Sequence, residues 1–143
     1  MNTLVNKKAR FNYEILEDYT AGMILLGSEV KSIISGEINF GDSFAYFKDG
    51  EIWLKSLHVS KHKNASYQNH DEMRERKLLL NKNEIKKISK MMENKGTTLI
   101  PLELFKLRGK IKVKIGICRG KKTWDKKETI KKRDLERESN FRF

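Results

Sequence analysis

The sequence predicts a mainly β protein: a small antiparallel barrel with flanking helices and a basic C-terminal tail. Three observations carry this. Between Phe11 and Leu107, short runs rich in aromatic and β-branched residues alternate with turn signals. Asp49-Gly50, the strongest kind of short hairpin signal, stands between two such runs in SFAYFKDGEIWLKSL. The run KIKVKIGIC alternates, placing Ile111, Val113, Ile115 and Ile117 on one face and Lys110, Lys112 and Lys114 on the other. That is the pattern of a strand with one buried and one cationic side. With 143 residues the chain has the length of one ordinary domain. Closing its sheet would remove the exposed edges of a small open one.

The elements follow in order. FNYEILEDY and GMILLG read as two strands. A brief helix comes next, with Ser28 as its cap, Glu29 at its positive end and Val30, Ile33 and Ile34 as its apolar face; Gly36 is placed to end it. After the Asp49-Gly50 hairpin, Lys55 to Arg76 loses periodicity and KHKNASYQNHDE reads as a polar loop. LLLNKNEIKKISKMMENKG predicts a second helix, with Asn81 and Glu84 at capping-box spacing, Ile85, Ile88 and Met92 in helical period, and Gly96 as the stop. Two strands, TLIPLELFKL and KIKVKIGIC, are joined at Arg108-Gly109. Among small barrels the OB-fold is a common nucleic-acid-binding version, although other small barrels fit the same pattern.

Charge narrows the partners. The chain holds 31 Lys and Arg against 19 Asp and Glu, a net +12. Such an excess favours a polyanion, because each cation that neutralises a phosphate releases condensed counterions. From Arg119 onward the charge is concentrated, with basic residues in pairs around a single tryptophan, Trp124. Asp125 and Glu128 could form another capping box there, but little apolar surface is available to fix a helix. The chain therefore divides into a barrel domain over 1–122 and a tail over 123–143 that is disordered until a partner orders it. The lone Cys118 excludes an internal disulfide and suits a reducing cytoplasm. No signal-like start is seen, and the longest apolar stretch falls far short of the roughly 18 residues of a membrane span. A cytoplasmic, monomeric protein without a membrane partner is expected.

Catalytic and metal chemistry find little support. His58 and His62 are four apart in a region that does not read as helix, and His70 stands alone. Cys118, on the predicted outer face of a strand, has no nearby histidine to make it a nucleophile. GKKT lacks the glycine-rich turn of a phosphate loop. No cofactor and no metal are expected. RNA binding is better served, by cationic clusters at Asn6–Arg10, Arg74–Lys77 and Arg119 onward, and by Tyr13, Tyr19, Trp53 and Trp124 as candidate stacking groups. In so basic a protein Glu29 is either a capping charge or an acceptor for base-edge donors.

Four motifs then occur in order: NKKAR at Asn6–Arg10, G-x-EVKS at Gly27–Ser32, RERKLLL at Arg74–Leu80, and RGKK-x-W-DKKETIKKR at Arg119–Arg133. On these the chain resembles the SmpB family, proteins that bind transfer-messenger RNA (tmRNA, the SsrA RNA) in bacterial trans-translation. The resemblance implies an OB-fold barrel, no catalysis, and a grip on the elbow of the tRNA-like domain of tmRNA. It implies entry into stalled ribosomes with elongation factor Tu carrying the aminoacylated RNA. By position it implies that Asn6, Lys7, Lys8, Arg10, Glu29, Lys31, Ser32, Arg119, Gly120, Lys121 and Lys122 face tmRNA. Trp124, Asp125, Lys126, Lys127, Lys131, Lys132 and Arg133 would lie in the decoding centre and the empty mRNA channel, on a tail that becomes helical there. The chain departs from the family at Ile34, commonly arginine, at Glu72, usually proline, and in a tail that ends early, at ESNFRF. A structural ribosomal protein with an extension threaded into rRNA is the alternative that composition leaves open.

Overall fold

A computed structural model describes residues 1–61 and 69–121. The expected helix in the tail and the readings of Lys122, Trp124 and the residues beyond lie outside that range, as does His62. The elements are β1 (Leu4–Val5), α1 (Lys7–Asn12), β2 (Tyr13–Met23), α2 (Gly27–Ile34), β3 (Ile38–Asn39), β4 (Phe44–Lys48), β5 (Glu51–Lys55), β6 (His58–Val59), β7 (Arg76–Leu79), α3 (Lys82–Met91), β8 (Thr97–Leu107) and β9 (Lys110–Gly120). Strands β8, β4, β5, β7, β2 and β9 hydrogen-bond in that order, and β9 pairs back to β8, so the antiparallel sheet closes into a ring. β1 adds to β8 from outside, and β3 with β6 makes a separate two-stranded sheet.

Both hairpins form as expected. Asp49 and Gly50 take φ of 53° and 75°, and Arg108 and Gly109 take 51° and 78°, the left-handed conformations that match a turn to the twist of its strands. On β9 the side chains of Ile111, Val113, Ile115 and Ile117 point into the ring and are buried with Ile52, Leu54, Leu78, Leu99 and Leu104. Asn81 caps α3 as read, its Oδ1 accepting from the Glu84 N–H at 2.8 Å while Glu84 Oε1 accepts from the Asn81 N–H at 3.2 Å. No helix among the described residues is long and apolar enough to cross a membrane.

Four readings are corrected. FNYEILEDY and GMILLG do not make two strands: one strand runs from Tyr13 to Met23, and a bulge between Ile15 and Glu17 absorbs the irregular pattern. Phe11 and Asn12 belong instead to α1, a helix that its basic composition concealed. The leucines of RERKLLL are strand β7, because Leu78 must face the core opposite Ile52; α3 starts only at Lys82 and ends at Met91, before Gly96. Ile34 leaves the apolar face of α2, being 44% exposed while Ile33 is fully buried. Arg119 and Gly120 are the end of β9, paired with Glu14 and Tyr13.

Cys118 also lies inside rather than outside. It joins Ala9, Ile100 and Leu102 in a second small core beneath α1. Burial pushes its thiol up to about 11, so it stays protonated and unreactive at neutral pH. Leu102 reaches this layer through a register shift between Pro101 and Glu103 in β8, and Gly116 of β9 is what gives it room. A Cβ on Gly116 would stand 2.7 Å from Leu102 Cδ1. Gly116→Ala is accordingly expected to overpack this layer and lower unfolding stability by about 1–3 kcal/mol in chemical denaturation.

Candidate nucleic-acid interface

The first and fourth motifs meet at one corner of the ring. Asn6 is 4% exposed, so it is a structural residue rather than a surface one. Its N–H donates to Leu102 O at 2.8 Å, its Nδ2 donates to Pro101 O at 2.9 Å, and its Oδ1 caps α1 by accepting from the Ala9 N–H at 3.1 Å. The bond to Leu102 O continues the register of β1 along β8, and the asparagine side chain adds a second bond to β8 and the cap of α1 at once. α1 is thereby fixed across the end of β9, where Lys121 N–H donates to Asn12 O at 2.9 Å and Lys121 Nζ to Arg10 O at 3.3 Å.

The cations of this corner stay near the surface. Lys7 and Lys8 are exposed, Arg10 is half-buried, and Arg119 and Gly120 are exposed. Lys8 pairs with Asp42 at 2.9 Å, Arg10 with Glu103 at 3.3 Å and Arg119 with Glu14 at 2.8 Å. The exposed pairs of Lys8 and Arg119 add little to stability, so these cations can be redirected to a phosphate at small cost, whereas Arg10 is held to the partly buried Glu103. The contact with Asp42 raises the Lys8 ammonium and lowers the Asp42 carboxyl, and both remain ionised at neutral pH.

The second and third motifs meet elsewhere, around a buried charge. Glu29 has no exposed surface, contrary to the expectation that it faces RNA. Its Oε1 accepts from Leu26 N–H at 2.8 Å and from Arg74 Nη2 at 2.5 Å, and its Oε2 accepts from Arg76 Nε at 2.5 Å. The capping reading of Glu29 is thus met, at Leu26. Arg76, equally buried, also donates from Nη1 to Leu57 O at 2.7 Å. Burial alone would raise the Glu29 carboxyl, but the hydrogen bonds from Arg74 and Leu26 and the charge of Arg76 outweigh it and hold the group below the usual carboxylate range. Sequence reasoning missed Arg74 and Arg76 as its partners. The available signal was two arginines beside a leucine run in an otherwise short strand, since a buried acid requires such company.

On α2 the remaining residues diverge. Lys31 is exposed, Ser32 is buried with a hydroxyl that has no hydrogen-bond partner among the described residues, and Ile34 presents a methyl-rich surface. Ser28 does not cap the helix. Its hydroxyl pairs with Nδ1 of the buried His70 at 2.8 Å, and His70 Nε2 donates to Val59 O at 2.8 Å. Glu72 pairs with His58, and its carbonyl accepts from Val59 N–H at 3.0 Å. Among the described residues no group of three His, Cys, Asp or Glu could hold a metal ion. Tyr13, Tyr19 and Trp53 are half-buried, and Lys48 Nζ lies 5.4 Å from the centroid of the Trp53 ring.

A closed antiparallel ring with cationic corners, half-buried aromatic groups and, among the described residues, a single buried acid locked to arginines defines a scaffold suited to binding a polyanion. Residues 3–142 match the family described as SmpB protein. The SsrA-binding protein of Thermosynechococcus vestitus is 51% identical over 135 residues, covering 93% of this chain and 88% of that protein. The SsrA-binding protein of Borreliella burgdorferi is 47% identical over 150 residues, covering 99% and 100%. A solved structure described as "tmRNA-SmpB: a journey to the center of the bacterial ribosome" is 47% identical with a TM-score of 0.73, over 86% of this chain and 87% of that one. The chain belongs to the SmpB family.

Replacing Glu29 by glutamine keeps the shape of the side chain but leaves Arg74 and Arg76 without a counter-charge. Glu29→Gln is expected to lower stability by about 3–5 kcal/mol, measured by urea unfolding at pH 7. The pH dependence has a definite sign. The native carboxyl titrates below its unfolded value of about 4.3, so its contribution is complete above that value and is lost as pH falls from there through the lower folded value. The wild type should therefore lose stability on acidification below about pH 5 more steeply than Glu29→Gln does.

Proposed function

We propose that this protein binds tmRNA, the SsrA RNA, and brings it to ribosomes stalled in translation, acting as a binding protein and not as an enzyme. The observation that carries the reading is the full-length family match, together with a ring on which NKKAR and RGK converge. In this reading the ring is an OB-fold that grips the elbow of the tRNA-like domain, and Lys7, Lys8, Arg10, Lys31, Arg119, Gly120, Lys121 and Lys122 meet its backbone. Asn6 and Glu29 act from beneath, by holding α1 and α2 in place, and Ser32 lies buried on α2. The residues from Trp124 to Arg133 serve in the decoding centre and the empty mRNA channel. Elongation factor Tu joins through the aminoacylated RNA, and the cycle runs in the cytoplasm.

The test is a gel shift against the tRNA-like domain of tmRNA and an unrelated duplex, across a salt series. Lys7→Ala and Lys31→Ala should each weaken tmRNA binding and reduce the slope of log K against log salt by about one. Equal affinity for tmRNA and the unrelated duplex at physiological salt would contradict the reading. Removing residues 124–143 should leave RNA binding largely intact while abolishing peptide tagging on stalled ribosomes. Loss of RNA binding on that truncation would contradict the division of labour.

A further inference from the structure

Where α1 crosses the end of the ring, a cleft of about 460 Å³ opens between that helix, the turn leading into β4 and the ends of β8 and β9. Its lining is unlike the cationic surface around it. Tyr13, Phe44 and Ile100 supply flat and apolar walls, and Asn12, Ser43 and Lys121 supply polar groups. Ser43 is 4% exposed, and its Oγ has no hydrogen-bond partner among the described residues. A buried hydroxyl without a partner is unfavourable unless something entering the cleft provides one. The Lys8–Asp42 ion pair, at 2.9 Å, ties α1 to the turn beside it.

The combination selects the guest. A phosphate would need converging cations, but of the two lysines that line the cleft Lys8 is paired with Asp42 and Lys121 Nζ donates to Arg10 O, while the remaining walls are largely aromatic and aliphatic. A nucleobase needs a face to stack on and donors or acceptors for its edge, which Tyr13 or Phe44 and the hydroxyl of Ser43 supply. The exposed Lys7, Lys8 and Arg119 nearby suit the phosphates on either side of such a base. We propose that this cleft receives one unstacked nucleobase of the bound RNA, stacked on Tyr13 or Phe44 and held at its edge by Ser43 Oγ. The inference rests on the tmRNA-binding reading and adds to it a specificity site at the point where β9 ends, so the captured base marks the root of the tail.

Gly120 makes a test practicable. It lines the cleft, and a Cβ added there meets nothing within 4 Å, so a large side chain can be introduced at the cleft without a built-in clash. In the full-length protein, Gly120→Trp should weaken binding to the tRNA-like domain of tmRNA by about 5- to 150-fold, the range expected for losing one stacked base. Ser43→Ala should weaken it by about 2- to 12-fold. Placing p-benzoylphenylalanine at Phe44 and irradiating the complex should give an adduct with RNA. Wild-type affinity in both variants, or an adduct joining position 44 to residues 122–143 of the same chain in place of RNA, overturns the proposal while leaving tmRNA binding standing. If the wild-type protein itself shows no preference for tmRNA, both readings fall together.

Discussion

The carboxylate of Glu29 is the constraint on which the arrangement of the second and third motifs depends. A charge with no exposed surface is unfavourable by several kcal/mol unless its lone pairs are satisfied, and here Leu26, Arg74 and Arg76 satisfy them. The consequence is geometric. Arg76 is a strand residue, opposite Leu54 of β5, and its guanidinium also holds Leu57 O and Glu72 O. Arg74 reaches back to Ile24 O at the exit of β2. One acid thus fixes α2 against the ring, the loop after β5 and the end of β2, and α2 in turn presents Lys31 to solvent.

Asn6 plays the corresponding part at the other corner. Beside the register shift in β8 at Leu102, Asn6 holds the carbonyls of Pro101 and Leu102 while starting α1. Leu102 fits because position 116 is glycine. Packing defect, clamp and helix start are one feature, and the result is that Lys7, Lys8 and Arg10 stand beside the end of β9. Both corners follow the same logic: a buried polar group hydrogen-bonded on several sides beneath, exposed cations above. Such hydrogen bonds rigidify what they hold, so the cations need little ordering when an anion arrives.

Much of the ring was legible in the sequence. Asp49-Gly50 and Arg108-Gly109 require left-handed backbone, and Ile111 to Ile117 alternate, so both hairpins could be placed by local rules. The errors share a cause, which is that the deciding partner is distant in sequence. The leucines after Arg76 are as helical as they are extended until Ile52 is set opposite Leu78. Cys118 follows the outward side of β9 until α1 and Leu102 cover it. Glu29 has a local role, the cap at Leu26, and a distant one, the pairing with Arg74 and Arg76, and only the first can be read from its neighbours. Ile33 and Ile34 are equally apolar, and only the position of the ring decides which is buried.

These supports make the binding surface a product of the interior, and Glu29 is where that claim can be measured in the unaltered protein. Carbon-detected NMR of the Glu29 side-chain carboxyl, followed across a pH titration of the free protein, reports its ionisation directly. The account predicts a midpoint below the ordinary glutamate value of about 4.3, because the ion is locked to Arg74 and Arg76 in the folded chain. A midpoint at or above that value would show an acid free of those partners, and would contradict it.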